Sequence, residues 1–212
     1  MADPANSEFP VPLTLGETAR RIGHYRWIEM RLFEILGGWV GTIPELEVKL
    51  RLGEHCFHHS WHSELWSDRL PDLGELTPPR LTVPPNDTLV EFCEVLGGPG
   101  ADQTIERLVG VYRVLIPHKI AAYTHHLRSS SPATDAPTIR SLRLVLQDEI
   151  SDWRDGELLI QWLVDSGEKV QRAAAHQARL QALLVEAGGV AGGGSLGAPP
   201  AAGVGGAHVE AL

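Results

Sequence analysis

Four histidines, His55, His58, His59 and His62, fall inside one stretch, residues 44–70, that has no proline after its first residue and no glycine except Gly53. Imidazole is a common transition-metal ligand, and it titrates near neutral pH. On a helix, side chains three or four residues apart share a face. That spacing puts Glu54, His58 and His62 in one row and His55, His59 and His62 in the next. His59 with His62, or Glu54 with His58, therefore offers half of a metal site, the other half coming from a second helix. The competing reading is a solvated, histidine-rich helix face. Two acids elsewhere favour the site. Glu29 lies within an apolar stripe, where a carboxylate is costly unless it is paired or metal-bound, although Arg26 on the same face offers a neutraliser. Glu149 interrupts a second stripe, with Asp152 three residues on, an offset at which two side chains can grip one ion.

Helices must position these groups. The first spans about Gly16 to Gly37, with Ile22, Arg26, Glu29, Leu32, Phe33 and Leu36 at helical spacing and Gly37–Gly38 as its stop. Pro44 marks the start of the histidine helix. Residues 71–85 hold five prolines, which predicts an extended crossover. A short helix over about Asp87–Leu96 follows, and then GGPG at 97–100.

A third long helix over about Asp102–Leu127 carries Ile105, Leu108, Tyr112, Leu115, Ala122 and His126, with a kink expected at Pro117. His118 and Tyr112 are candidates to face the site; alternatively His118 bonds a carbonyl freed at the kink. His125 and His126 read as partners of the helix dipole. A fourth helix from Pro137 to about Val164 presents Ile139, Leu142, Val145, Leu146, Glu149, Trp153 and Leu163. A last helix, about Gly167–Glu186, has a narrow apolar stripe suited to capping a bundle or pairing with a second copy as a homodimer. The expected organisation is an arm over residues 1–14, a helical domain over 15–187 and a disordered Gly/Ala/Pro-rich tail over 188–212.

The 212 residues carry a formal charge of −9, and the 18 lysines and arginines are scattered. This argues against a nucleic-acid partner. Cys56 and Cys93 form no CxxC, and the N-terminus lacks a signal-like apolar core, so a cytoplasmic setting is expected. No apolar run approaches the roughly 20 residues of a membrane span.

The order helix, helix, long crossover, helix, helix, with an acid on the first and pairs three apart on the second and fourth, resembles the ferritin-like di-iron carboxylate superfamily. PHKIAAYTHHL at 117–127, DAPT at 135–138 and QDEISDW at 147–153 look like the second helical pair of ferritin-like oxidoreductases. Glu29 through Trp39 and Pro44 to His62 is similar to the first pair. The resemblance covers about residues 15–165 and implies an all-α, ferritin-like four-helix bundle with an additional C-terminal helix. It places Glu29 at the helix-one carboxylate, His59 and His62 at the helix-two Glu and His, and Glu149 and Asp152 at the helix-four Glu and His. The helix-three carboxylate has no counterpart. Glu106 lies too near the helix start, and His118 or Tyr112 stand at a suitable depth. The function implied is an oxidoreductase or oxygenase using one or two iron ions on a small organic molecule. Glu29, His62 and Glu149 would carry its chemistry, and Tyr112 or Trp61 would line the substrate side. A metal-free ligand-binding or partner-binding protein, or a metal-free acid–base catalyst, would use the same polar cavity.

Overall fold

The computed structural model describes residues 13–73, 78–98 and 104–193. Among them every regular element is a helix and no strand occurs. The helices are α1 (Leu15–Val40), α2 (Leu46–Arg69), α3 (Pro78–Leu81), α4 (Asp87–Gly97), α5 (Thr104–Val109), α6 (Ile116–Arg128), α7 (Ala136–Leu163) and α8 (Gly167–Glu186). Their starts follow capping chemistry. Thr14, Asn86 and Ser166 each accept a hydrogen bond from a backbone N–H three residues on, satisfying a donor that the first turn leaves open.

Several boundaries correct the sequence expectation. Gly37 and Gly38 do not end α1, which continues to Val40 because buried Trp39 anchors the last turn. Pro44 precedes α2 by two residues, with Glu45 at the cap position. The third long helix runs through Pro117 as expected, but it is not regular α-helix throughout. The turn before it, Gly110–Leu115, is π-helical, and the Ile116 N–H reaches back five residues to the Val111 carbonyl. A widened turn of this kind accommodates a proline ring that would crowd a regular α-turn. The crossover contains a 3-10 turn (Leu70–Asp72) and α3 rather than extended chain alone, and residues 74–77 lie outside the described set.

Residue pairings fix how the helices run. From α2 to the third helix, His55 meets Tyr112, His59 meets Lys119 and Trp66 meets Tyr123, so the two are parallel. Between α1 and α2, Glu29 meets His59 and Tyr25 meets Trp66, which is antiparallel. Between α2 and α7, His58 meets Asp152 and His62 meets Asp148, again antiparallel. Parallel α2 and α6 require the chain to return along the bundle, and the segment through α3 and α4 does so. Gly23 lets it lie close: a Cβ there would overlap the Leu81 carbonyl.

The core runs the length of the bundle, from Ile22, Ile28 and Leu32 on α1 through Leu52 and Trp66 on α2 to Leu142, Val145 and Ile160 on α7. Phe33 and Trp153, expected in the stripes, are 45% and 38% exposed and point outward. α8 packs on α4, α5 and the π-helical turn, burying Ala173, Leu180 and Leu184. Beyond it the chain is not immediately a loose tail. Gly188 and Gly189 take φ of 70° and 76° and turn Val190 into the core. Residues 1–12 of the expected arm and 194–212 of the expected tail lie outside the described residues. No helix among those described is long and apolar enough to cross a membrane.

Two glycines give opposite expectations. A Cβ on Gly156 would fall inside the ring of buried Tyr112, whereas Gly53 in the exposed middle of α2 has open space around it. G156A should lower the free energy of unfolding by about 1–3 kcal/mol through overpacking. G53A should raise it by roughly 0.5–1 kcal/mol through helix propensity. Urea unfolding of both variants checks this; a stable G156A would show that the Tyr112 ring is not packed there.

Candidate metal centre

The helical registers bring six polar side chains to one point in the core. Glu29 comes from α1, His59 and His62 from α2, Lys119 and Tyr123 from α6 and Glu149 from α7, and all are fully buried. The Lys119 ammonium donates to Glu29 Oε2 at 2.8 Å and to Glu149 Oε1 at 2.5 Å. Tyr123 OH donates to Glu29 Oε1 at 2.7 Å. His59 Nδ1 lies 2.8 Å from Glu29 Oε2, at donor distance. His62 spans the cluster edge. Its Nδ1 makes no hydrogen bond but lies 3.4 Å from Glu149 Oε1 and 3.8 Å from Glu29 Oε2. Its Nε2 meets the half-exposed Asp148 carboxylate at 3.2 Å.

Electrostatics decides the charges. Burial pushes both glutamates up, but Lys119 and the neighbouring histidines outweigh it, holding Glu29 well below and Glu149 below the usual carboxylate range. Burial pulls Lys119 down, and its two carboxylate partners more than restore it, so it stays charged. His59 is held below its ordinary value by burial and by Lys119, and is neutral. His62 is raised to about 11: burial opposes its charge, but Asp148, Glu149 and Glu29 together prevail. Two monocations, Lys119 and His62, thus balance two buried monoanions.

One donor atom from each of Glu29, His59, His62 and Glu149 lies within 4.8 Å of the others. Two imidazoles and two carboxylates suit one divalent ion such as iron, manganese or zinc. Two features match a ligand set. The unbonded His62 Nδ1 faces both carboxylates, and Asp148 fixes the ring through its outer nitrogen, as orienting carboxylates do for metal-bound histidines. The Glu149 Oε2 and His59 Nε2 atoms are also buried without a hydrogen bond. Comparison with protein-family models, curated proteins and solved structures gives no match for this chain.

The other expected residues go elsewhere. Asp152 is buried but belongs to an adjoining cluster, where its carboxylate meets His58 Nδ1 at 3.0 Å and His55 Nε2 at 3.4 Å. Burial raises its pKa to about 7. Tyr112 hydrogen-bonds His55 Nδ1 at 2.6 Å in the same layer, and Trp61 packs beside the His62 ring. His118 does not face the centre. It sits about 100° round the helix from Lys119 and accepts the Val190 N–H through Nε2. Arg26 does not neutralise Glu29 but donates to Thr82. Glu54 is exposed and paired with Arg51, and Glu106 pairs with Arg172. His126 is buried beside Tyr25, and burial lowers its pKa to about 3, so it is a neutral core residue rather than a dipole partner.

Lys119, Tyr123 and Asp148 are the residues that sequence reasoning missed. A signal for the first existed: Lys119 is seven residues after Tyr112, four after Leu115 and three before Ala122, inside the stripe already recognised. Tyr123 follows Lys119 by one turn.

The charge pattern sets a pH dependence. His62 is raised above its ordinary 6.5 to about 11, so the stability it contributes is fully present below pH 6.5 and is lost as pH rises through about 11. The melting temperature of metal-free protein should fall between pH 6.5 and 9.5, and H62Q should fall less. Parallel declines in both would show that His62 is not the charged partner.

Proposed function

We propose that this protein is a ferritin-like metalloprotein in which Glu29, His59, His62 and Glu149 hold a single iron ion for oxidation of a small organic molecule. The observation that carries this reading is the convergence of four buried donors from α1, α2 and α7 within 4.8 Å. The parallel pairing of α2 with the third helix, joined by a long crossover, supports the ferritin-like arrangement. A second ion would need another carboxylate, and the two beside the centre are engaged, Asp148 with His62 and Asp152 with His58 and His55. One ion is therefore the better fit. When bound, iron would supply dioxygen binding and redox chemistry.

This chain's residues would do the rest. Asp148 would hold His62 in the orientation that aims Nδ1 inward. Tyr123 would hold Glu29 through Oε1 and leave Oε2 to the centre. The Tyr25–Trp66–Tyr123 ring cluster, with centroids 4.5–5.9 Å apart, closes one side against water.

A second reading rests on Lys119. Its two hydrogen bonds to the carboxylates balance their charge without metal, which suits a metal-free protein that binds a ligand or partner, or does acid–base chemistry with the same groups. Protein expressed with iron supplied separates the two. The metal reading expects about one equivalent per chain by elemental analysis, and a melting temperature that chelation lowers, since a ligand bound only by the folded state stabilises it. H62A should abolish metal binding, while H125A at the half-buried end of α6 should leave it unchanged. Metal-free protein whose stability ignores chelators would favour the second reading.

A further inference from the structure

We propose that Lys119 is a built-in competitor for the metal position: its ammonium fills the centre in the metal-free protein and must leave before an ion can bind. The inference rests on the single-metal reading above and concerns how that site is loaded.

The geometry is direct. Lys119 Nζ lies 2.8 Å from Glu29 Oε2, 2.5 Å from Glu149 Oε1 and 3.4 Å from His59 Nδ1. An ion bound by these carboxylates and imidazoles would sit about 2.0–2.2 Å from each donor. The two positions overlap, and ammonium and ion cannot share them. Lys119 is also fully buried. Its charge therefore has no solvent contact. Its placement between acids on two different helices lets it hydrogen-bond to α1 and α7 at once through the centre. Metal entry therefore exchanges one cationic cross-link for another. In the metal-free protein the lysine balances the two acids, and the affinity for metal is reduced by the free energy of displacing it.

Zinc(II), which is redox-inert, is a suitable probe, with two readouts. In the first, zinc affinity is measured by calorimetry on the wild type and on K119L. Leucine removes the charge while keeping an apolar stem. The expectation is at least tenfold tighter binding by K119L, together with a lower melting temperature for the metal-free variant than for the metal-free wild type. Equal affinities would overturn the proposal.

The second readout needs no variant, so it holds even if K119L fails to fold. The chain has three lysines, at 49, 119 and 169, and only Lys119 is buried. Lysine-selective nitrogen-15 labelling should therefore show one ammonium group whose protons exchange slowly in the metal-free wild type. That resonance should disappear or shift strongly in step with zinc occupancy. Its persistence unchanged at one bound equivalent would overturn the proposal while leaving the metal reading intact. If neither protein binds zinc, iron(II) or manganese(II), the metal reading itself fails, and this inference fails with it.

Discussion

Two ionised glutamates in a place without solvent are tolerable only because one ammonium lies between them. An uncompensated buried carboxylate costs several kcal/mol and would take up a proton instead. Lys119 prevents this by contacting both acids at once, and His62, backed by Asp148, supplies the second positive charge. The requirement reaches far beyond the centre. Lys119 meets Glu29 and Glu149 only in one register of α6 against α1 and α7, since a slip of one residue turns a side chain by about 100°. Apolar packing alone tolerates exchange of one aliphatic residue for another. The ammonium does not tolerate a register slip, and it selects one alignment among those that the stripes allow.

The layers on either side of the centre make sense in these terms. Toward one end Tyr25, Trp66, Tyr123 and His126 stack edge against face, and Tyr123 turns its hydroxyl to Glu29. Toward the other end His55, His58, Asp152 and Tyr112 form a second polar layer that reaches the surface through partly exposed His58. The centre therefore lies between a dry aromatic layer and a wetter histidine layer. The π-helical turn is part of the second layer. It carries Tyr112, and the absence of a side chain on Gly156 makes room for the ring.

Much of this was readable in the chain because helical period exposes a misplaced charge. Glu29 and Glu149 stood out inside apolar stripes, and His59 and His62 stood out by spacing. All four meet in the structure. The lysine escaped notice although it lay in a recognised stripe, because a long cationic side chain usually carries its charge out to water and so reads as the edge of a face. Its neighbour His118 drew attention through its residue type. One step along the helix separates a group at the centre from one bound to the turn after α8. Asp152 failed differently. Its offset from Glu149 was correct for sharing a face, but His58 and His55, one turn earlier on α2, claim it. Glycine signals misled where a tertiary contact was stronger, since Trp39 carries α1 past two glycines; through Pro117 the third helix continues as expected, by way of a widened turn.

A core built this way costs stability relative to an apolar one, since replacing a buried ion cluster with well-packed hydrophobic residues is often neutral or stabilising. The cluster is therefore poorly accounted for as a device for holding helices together. The charge balance suggests what it is suited to. Two carboxylates are neutralised equally by Lys119 with a protonated His62, or by one divalent ion with a neutral His62 as its ligand and the ammonium withdrawn. The two arrangements carry the same net charge within the centre once the ammonium has left. They also use the same four protein donors and need no change in helix register. On the metal reading proposed above, such a site would stay folded when empty and would take an ion by moving Lys119 and deprotonating His62, with the helix register kept. The unbonded His62 Nδ1, aimed at both carboxylates and steadied from behind by Asp148, is left unsatisfied in the metal-free arrangement, as are Glu149 Oε2 and His59 Nε2.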